Sequence, residues 1–163
     1  MKAVVSDSTV LIGFAKIDRL FLLKEMFQEI HVPEAVFREV TLDGWQKSGS
    51  EAVRNASWIL RRQVSDRTQV HFLMTVLDEG EAEVLVLAKE LEADLVLLDE
   101  EKARKSAARA GFSIMGVVGI LIAAKRLGLI ASVRSCIEKL QQEKFRLSKQ
   151  VVKTALQQAG ELA

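Results

Sequence analysis

Apolar residues recur along this chain in two rhythms, short unbroken runs and longer stretches in which they return every three or four positions. The first rhythm marks strands buried on both faces, and the second marks amphipathic helices. Residues 2–6 form a short run rich in β-branched side chains and predict a buried strand of a parallel sheet. Three more runs follow, at 29–32, 94–98 and 112–115. Helical periodicity fills the intervals: 8–16, capped by Asp7 or Ser8; 19–26; and 33–40, with Pro33 as its first helical residue. Further helices are predicted at 80–92, at 100–110 with a stop at Gly111, and at 117–127, 132–144 and 148–159. Residues 41–78 carry no clear period. The polar Asp43-Gly44 turn, Trp45, Trp58, Arg61 and Arg62 point to helical pieces around an exposed excursion. Strands alternating with helices predict an α/β fold, a doubly wound, mostly parallel central sheet with helices on both faces.

Composition narrows the chemistry. At 163 residues and 49% hydrophobic content, the chain has the size of one domain, 1–163, with a substantial core. One cysteine, Cys136, and two histidines, His31 and His71, exclude a disulfide framework, a zinc finger and a haem site by count. Any resident metal must therefore take oxygen ligands. Neither histidine lies near a Ser or Cys nucleophile in sequence, which ranks triad chemistry low. Asp7 interrupts the first apolar run, against a signal peptide. The longest uncharged segment, 110–124, is shorter than the roughly 20 residues a spanning helix needs. A cytoplasmic protein without membrane contact is the expectation. Net charge is only +1, yet residues 1–99 carry 11 Lys/Arg against 17 Asp/Glu, and residues 100–153 carry 12 against 4. That asymmetry fits an acidic site beside a basic surface, and equally two oppositely charged faces that keep the protein soluble.

The placement of the acids changes the picture. In open α/β sheets the ligand crevice lies outside the carboxyl ends of the strands, and Asp7 and Asp99 each follow a predicted strand that enters a helix. Each also suits a helix cap. Around the 80–92 helix, Glu81 falls inside the apolar arc of Val84, Leu85, Leu87, Ala88 and Leu91, with Glu83 and Glu90 facing away. Around 33–40, Glu39 falls between Ala35 and Val36 on the burying face, with Glu34 and Arg38 outward. Two carboxylates about 4 Å apart repel by about 4 kcal/mol at an effective dielectric of 20, so buried acids need compensation. Arginine partners would supply it singly. One hard divalent cation, Mg²⁺ or Mn²⁺, would supply it for Asp7, Glu39, Glu81 and Asp99 together.

Four stretches then carry a resemblance: "SDSTVLI" at 6–12, "VPEAVFREV" at 32–40, "LDEGEAEVLVLAKELEADLVLLDEEKAR" at 77–104 and "GVVGIL" at 116–121. In this order and spacing they resemble PIN-domain proteins, nearest to the VapC-type toxins of bacterial and archaeal toxin–antitoxin modules. The resemblance covers about residues 3–130, with a helical extension at about 131–160 that fits loosely. It implies a Rossmann-like sheet and an acidic pocket that binds Mg²⁺ or Mn²⁺. The implied activity is metal-dependent endonucleolytic cleavage of single-stranded RNA, leaving 5′-phosphate and 3′-hydroxyl ends. The family's acids map onto Asp7, Glu39, Glu81 and Asp99, and its assisting hydroxyl onto Ser8 or Thr9. Two positions depart from the pattern: Glu100 stands where the family often has a second aspartate, and Val117 where a threonine is common. The resemblance also implies a small cognate antitoxin as partner and a homodimer.

On the helix after Asp99, Lys102, Arg104, Lys105 and Arg109 form a candidate basic wall for an RNA backbone, with Arg104 the one expected to point inward. A solvated face with Glu100 and Glu101 pairing to Arg104 and Lys105 is the plainer alternative. Trp45 and Trp58 offer base stacking or, more simply, core packing. Rival classes are a catalytically inactive PIN-like module that binds protein or RNA, and an aspartyl-phosphate phosphatase. The latter wants an acid two residues after Asp7, where Thr9 stands. A nucleotide-binding turn wants glycines that Ser8-Thr9-Val10 lacks.

Overall fold

A computed structural model describes residues 3–42 and 47–162. Lys2 of the first predicted strand, the Asp43-Gly44 turn and Trp45 lie outside the described residues. Strand β1 (Val4–Ser6) leads through helices α1 (Ser8–Lys16) and α2 (Leu20–Phe27) to β2 (Ile30–Pro33). Helices α3 (Glu34–Thr41) and α4 (Lys47–Arg54) lead on to β3 (Ile59–Arg62). The chain returns through α5 (Arg67–Leu73) and α6 (Glu79–Glu90) to β4 (Leu95–Leu97), then through α7 (Glu101–Arg109) to β5 (Ile114–Met115). Helices α8 (Val117–Arg126), α9 (Val133–Gln142) and α10 (Lys149–Gln158) follow. All strand pairs are parallel and the sheet order is β3-β2-β1-β4-β5, an α/β architecture of Rossmann-like type.

Residues of β1 point alternately to the two faces, yet Val4, Val5 and Ser6 are all buried, so the central strand is covered on both sides. The progression to β2 and β3 on one flank of β1, and to β4 and β5 on the other, makes the gap between the carboxyl ends of β1 and β4 the topological switch point. Register sets Ser6 against Leu97, and the Asp7 amide donates to the Leu97 carbonyl at 3.0 Å. The ends of both strands are thereby locked side by side, which fixes where Asp7 and Asp99 emerge.

Three sequence expectations need correction. Residues 59–62, expected as part of a helical excursion, form edge strand β3, paired with β2 from Ile30↔Ile59 to Pro33↔Arg62. Pro33 ends β2 and caps α3 rather than opening it. Glu83, expected to face away from the core, is 2% exposed, because α6 is enclosed on nearly every side from Ala82 to Ala88. Trp58 packs against the core. At the carboxyl end, α9 and α10 pack on α8 through Val133, Ile137, Leu140, Ala155 and Leu156. The last turn is pinned by Glu161, whose carboxylate accepts from Lys125 Nζ at 2.9 Å and from the Val133 and Arg134 amides at 2.7 and 3.0 Å.

Candidate functional site

Asp7 is the N-cap of α1. Its Oδ1 accepts the Val10 amide at 2.9 Å, while its Oδ2 accepts the Asp99 amide at 3.2 Å. One short side chain thus caps a helix and ties the end of β1 to the segment after β4. Only 4% of Asp7 is exposed. That burial pushes its carboxyl up to about 7, against the lowering effect of the Val10 and Asp99 amides and with the help of the nearby Asp99 and Glu81 charges. Asp99 is held in turn by the Val117 amide, which donates to Oδ2 at 3.3 Å. Burial raises its carboxyl above the usual range, although the Val117 amide and the Arg104 guanidinium pull the other way. Arg104 Nη1 donates to the Leu98 carbonyl at 2.9 Å. A Cβ at Gly116 would stand 2.6 Å from Asp99 Oδ1 and 2.7 Å from Arg104 Nη1. Glycine at 116 is what lets this acid–guanidinium pair lie against the start of α8.

Glu81 reaches the same place from α6. Asp78 caps that helix by accepting the Glu81 amide at 2.8 Å, and Glu81 Oε1 accepts the Asp78 amide at 3.0 Å, a reciprocal capping box. The box fixes one oxygen and leaves the other, Oε2, buried without a hydrogen-bond partner among the described residues. Burial raises the Glu81 carboxyl, and the charges of Asp78 and Glu100 add to the effect. Glu39, on α3, is exposed rather than buried as its helical position predicts, and it stands at the mouth of the same space. Its Oε2 would lie 3.6 Å from a Cβ at Gly80.

Asp7, Ser8, Thr9, Glu39, Asp78, Glu81 and Glu100 line one pocket of about 60 Å³. Asp99 lines another cavity and is tied to the pocket through the hydrogen bond that its amide donates to Asp7. Asp7, Glu39, Glu81 and Glu100 border a common space without converging, and Asp99 borders another: among the described residues no three His, Cys, Asp or Glu side chains stand close enough to hold one metal ion as they are. The donor set is wholly oxygen, with no imidazole or thiolate in it, and it includes an unpartnered buried carboxylate oxygen. Those are the donors that suit a hard divalent cation. Exposed Glu39 and Glu100 are the members with room to adjust.

Of the basic residues after Asp99, Arg104 points inward, onto Leu98 and Asp99, whereas Lys105 pairs with Glu101 on the exposed face at 3.2 Å. Sequence reasoning passed over Asp78, Gly116 and Glu83. The first carries a readable signal, a capping-box spacing of Asp followed three residues later by Glu. Glu83 supports the site from behind. Its Oε1 accepts the Ala35 amide in the first turn of α3 at 3.0 Å, and its Oε2 accepts from Arg67 Nη1 at 2.6 Å, linking α6, α3 and α5.

Comparison with known proteins adds one positive finding. A family model, DUF3368, described as a PIN domain, matches residues 3–161, so α9 and α10 lie inside the matched span as well. No curated protein matches the chain.

Proposed function

The chain belongs to the PIN-domain family, whose fold is of nuclease type, and on that premise we propose that it is a divalent-metal-dependent endoribonuclease acting on single-stranded RNA. The observation that carries this reading is that Glu81, whose Oε2 is buried and unpartnered among the described residues, lines one pocket with Asp7, Glu39 and Glu100. A buried carboxylate oxygen left without a donor costs free energy that a bound cation would recover. Asp7 and Asp99 would hold the ion directly, with Glu81 and Glu39 as further ligands, directly or through water. Glu100 and the Ser8 and Thr9 hydroxyls would act in support. When bound, Mg²⁺ or Mn²⁺ supplies an acidified water and neutralises charge on the phosphodiester.

The chain's own residues do the positioning. The Val10 and Asp99 amides fix both oxygens of Asp7, and the capping box fixes the aim of Glu81. The Val117 amide orients Asp99, while Arg104, which lines the same cavity, offsets its charge. Rigid carboxylates placed before substrate arrives reduce reorganisation during reaction. The finer reading, a cytoplasmic homodimeric toxin of VapC type restrained by a small antitoxin, follows from the resemblance in the motifs above. It accords with the finding that no helix among the described residues is long and apolar enough to cross a membrane.

The test is cleavage of a mixed-sequence single-stranded RNA with Mn²⁺, by wild type and by Asp7→Asn. Cleavage by wild type alone, abolished by EDTA, is the expected result. Equal cleavage by both proteins removes Asp7 from the mechanism. The non-convergence of the acids favours a second reading, a PIN module that has lost catalysis and binds a partner. That reading predicts no metal-dependent cleavage of any RNA and a fold indifferent to Mn²⁺.

A further inference from the structure

Beside the acidic pocket lies a larger cavity of about 600 Å³. Asp99 and Glu101 line it while Glu100 between them lines the acidic pocket, and the Asp99 amide donates to Asp7, so one short segment serves both spaces. Its floor is built from Met115 at the end of β5 and from Gly119 and Ile122 on α8, and its outer wall from Val151 on α10. Arg146, in the segment before α10, stands at its edge. We propose that this groove binds a single strand of nucleic acid next to the acidic site, with Arg146 on the backbone phosphates and a base against Met115, Ile122 and Val151. The identity of the polymer rests on the nuclease reading above; the existence of the groove does not.

Three observations carry the inference. Gly119 sits inside α8, where glycine is a poor helix former, and no close packing among the described residues requires it: of these, a Cβ there would meet only Met115 Cε, at 3.9 Å. The missing side chain keeps the floor of the groove open. Val151 is 42% exposed, an apolar side chain left facing this space at the start of α10. Bases present apolar faces of that kind between charged phosphates, and protein sites for single strands combine apolar platforms with cations. Finally, the charged side chains in the groove lining are Asp99 and Glu101 against Arg104 and Arg146, and Arg104 lies beside Asp99. Of those acids, Glu101 in the groove lining is answered by Lys105. Arg146 is exposed, lines the groove and makes no ion pair among the described residues, so its charge is open to a phosphate.

Binding is read apart from cleavage by fluorescence anisotropy of a labelled single-stranded RNA of about ten nucleotides, in EDTA, across a salt series. The wild-type protein is expected to bind with a salt-dependent affinity. Arg146→Ala is expected to weaken binding roughly 3- to 10-fold and to lower the salt slope by about one. Gly119→Leu is expected to weaken it at least about 10-fold while melting no lower than wild type, since the added side chain fills the groove and favours the helix. Failure of the wild type to bind, or unchanged binding by both variants, overturns the inference. The two readings also separate: unchanged binding with metal-dependent cleavage intact removes the groove and leaves the nuclease. Groove-dependent binding without cleavage under any metal does the reverse.

Discussion

At the scale of single residues, the site trades local stability for readiness. Asp7 is held by two amides, yet burial outweighs them and its carboxyl rises from 3.8 to about 7. Between those values the folded protein retains a proton that the unfolded chain has lost, so metal-free stability falls as pH rises from about 4 to about 7. Asp7→Asn keeps an acceptor for the Val10 amide and removes the buried charge. Without metal, the variant is expected to be more stable than wild type at pH 8 by on the order of 1–4 kcal/mol, with the gap closing by about pH 4. Urea unfolding in EDTA at the two pH values measures it, and an equal loss of stability at both would contradict the account. Gly116 has a different role. The atoms its Cβ would strike are the ends of the Asp99 and Arg104 side chains, which can move aside. Gly116→Ala is therefore expected to change stability by about 1 kcal/mol or less and to reduce Mn²⁺ affinity about 10-fold or more. Isothermal titration of the folded variant decides this; unaltered affinity would show that the close approach is incidental.

At the scale of elements, the site is assembled by helices that hold one another through Glu83. Removing its carboxylate in Glu83→Ala leaves the buried Ala35 amide without its acceptor and Arg67 with only the longer pair to Glu79, at 3.7 Å, at a cost of about 1–3 kcal/mol in chemical denaturation. Glu83→Gln, which keeps the shape and can still accept the Ala35 amide, is expected to lose less; equal losses would place the effect in the charge that pairs with Arg67 rather than in the bond to Ala35. Legibility in the sequence followed the physics of each element. Strands β1 and β4 stood out because both faces are buried and their apolar runs are unbroken. Strand β3 did not, because its sequence is Ile-Leu-Arg-Arg and its stability comes from the ladder to β2 rather than from burial. Arg61, expected among helical pieces around an exposed excursion, pairs with Glu34 and lies over the Phe37 ring at 4.7 Å. Glu83 was misread because a helical wheel assumes one wet face, and α6 is enclosed from Ala82 to Ala88. Glu39 erred in the other direction: its helical position predicts burial, but the pocket opens there. Asp7 and Glu81 were legible because an acid inside an apolar run or arc is costly wherever the fold puts it.

At the scale of the whole molecule, the sheet order sets the acids from β1 and β4 side by side, and the C-terminal helices close the flank next to them. That closure depends on Glu161. Its carboxylate lies at about 2, because the Lys125 ammonium and the amides at the start of α9 outweigh the effect of burial. A depressed carboxyl contributes stability above its unfolded value of 4.5, and that contribution is lost as pH falls toward 2. Glu161→Gln is expected to cost about 1–2 kcal/mol at pH 7 and to flatten the acid limb of the stability profile below about pH 4.5. An unchanged acid limb in thermal melts would locate the acid sensitivity elsewhere. The central claim, that the carboxylates at the switch point form a cation site, is tested most directly by thermal unfolding of EDTA-stripped protein against increasing Mn²⁺, with Asp7→Asn/Asp99→Asn alongside. Metal at 100 times its Kd adds about 2.7 kcal/mol, so a saturable rise on the order of 5–10 °C is predicted for wild type and none for the double variant. No rise in wild type, or the same rise in both, would contradict it.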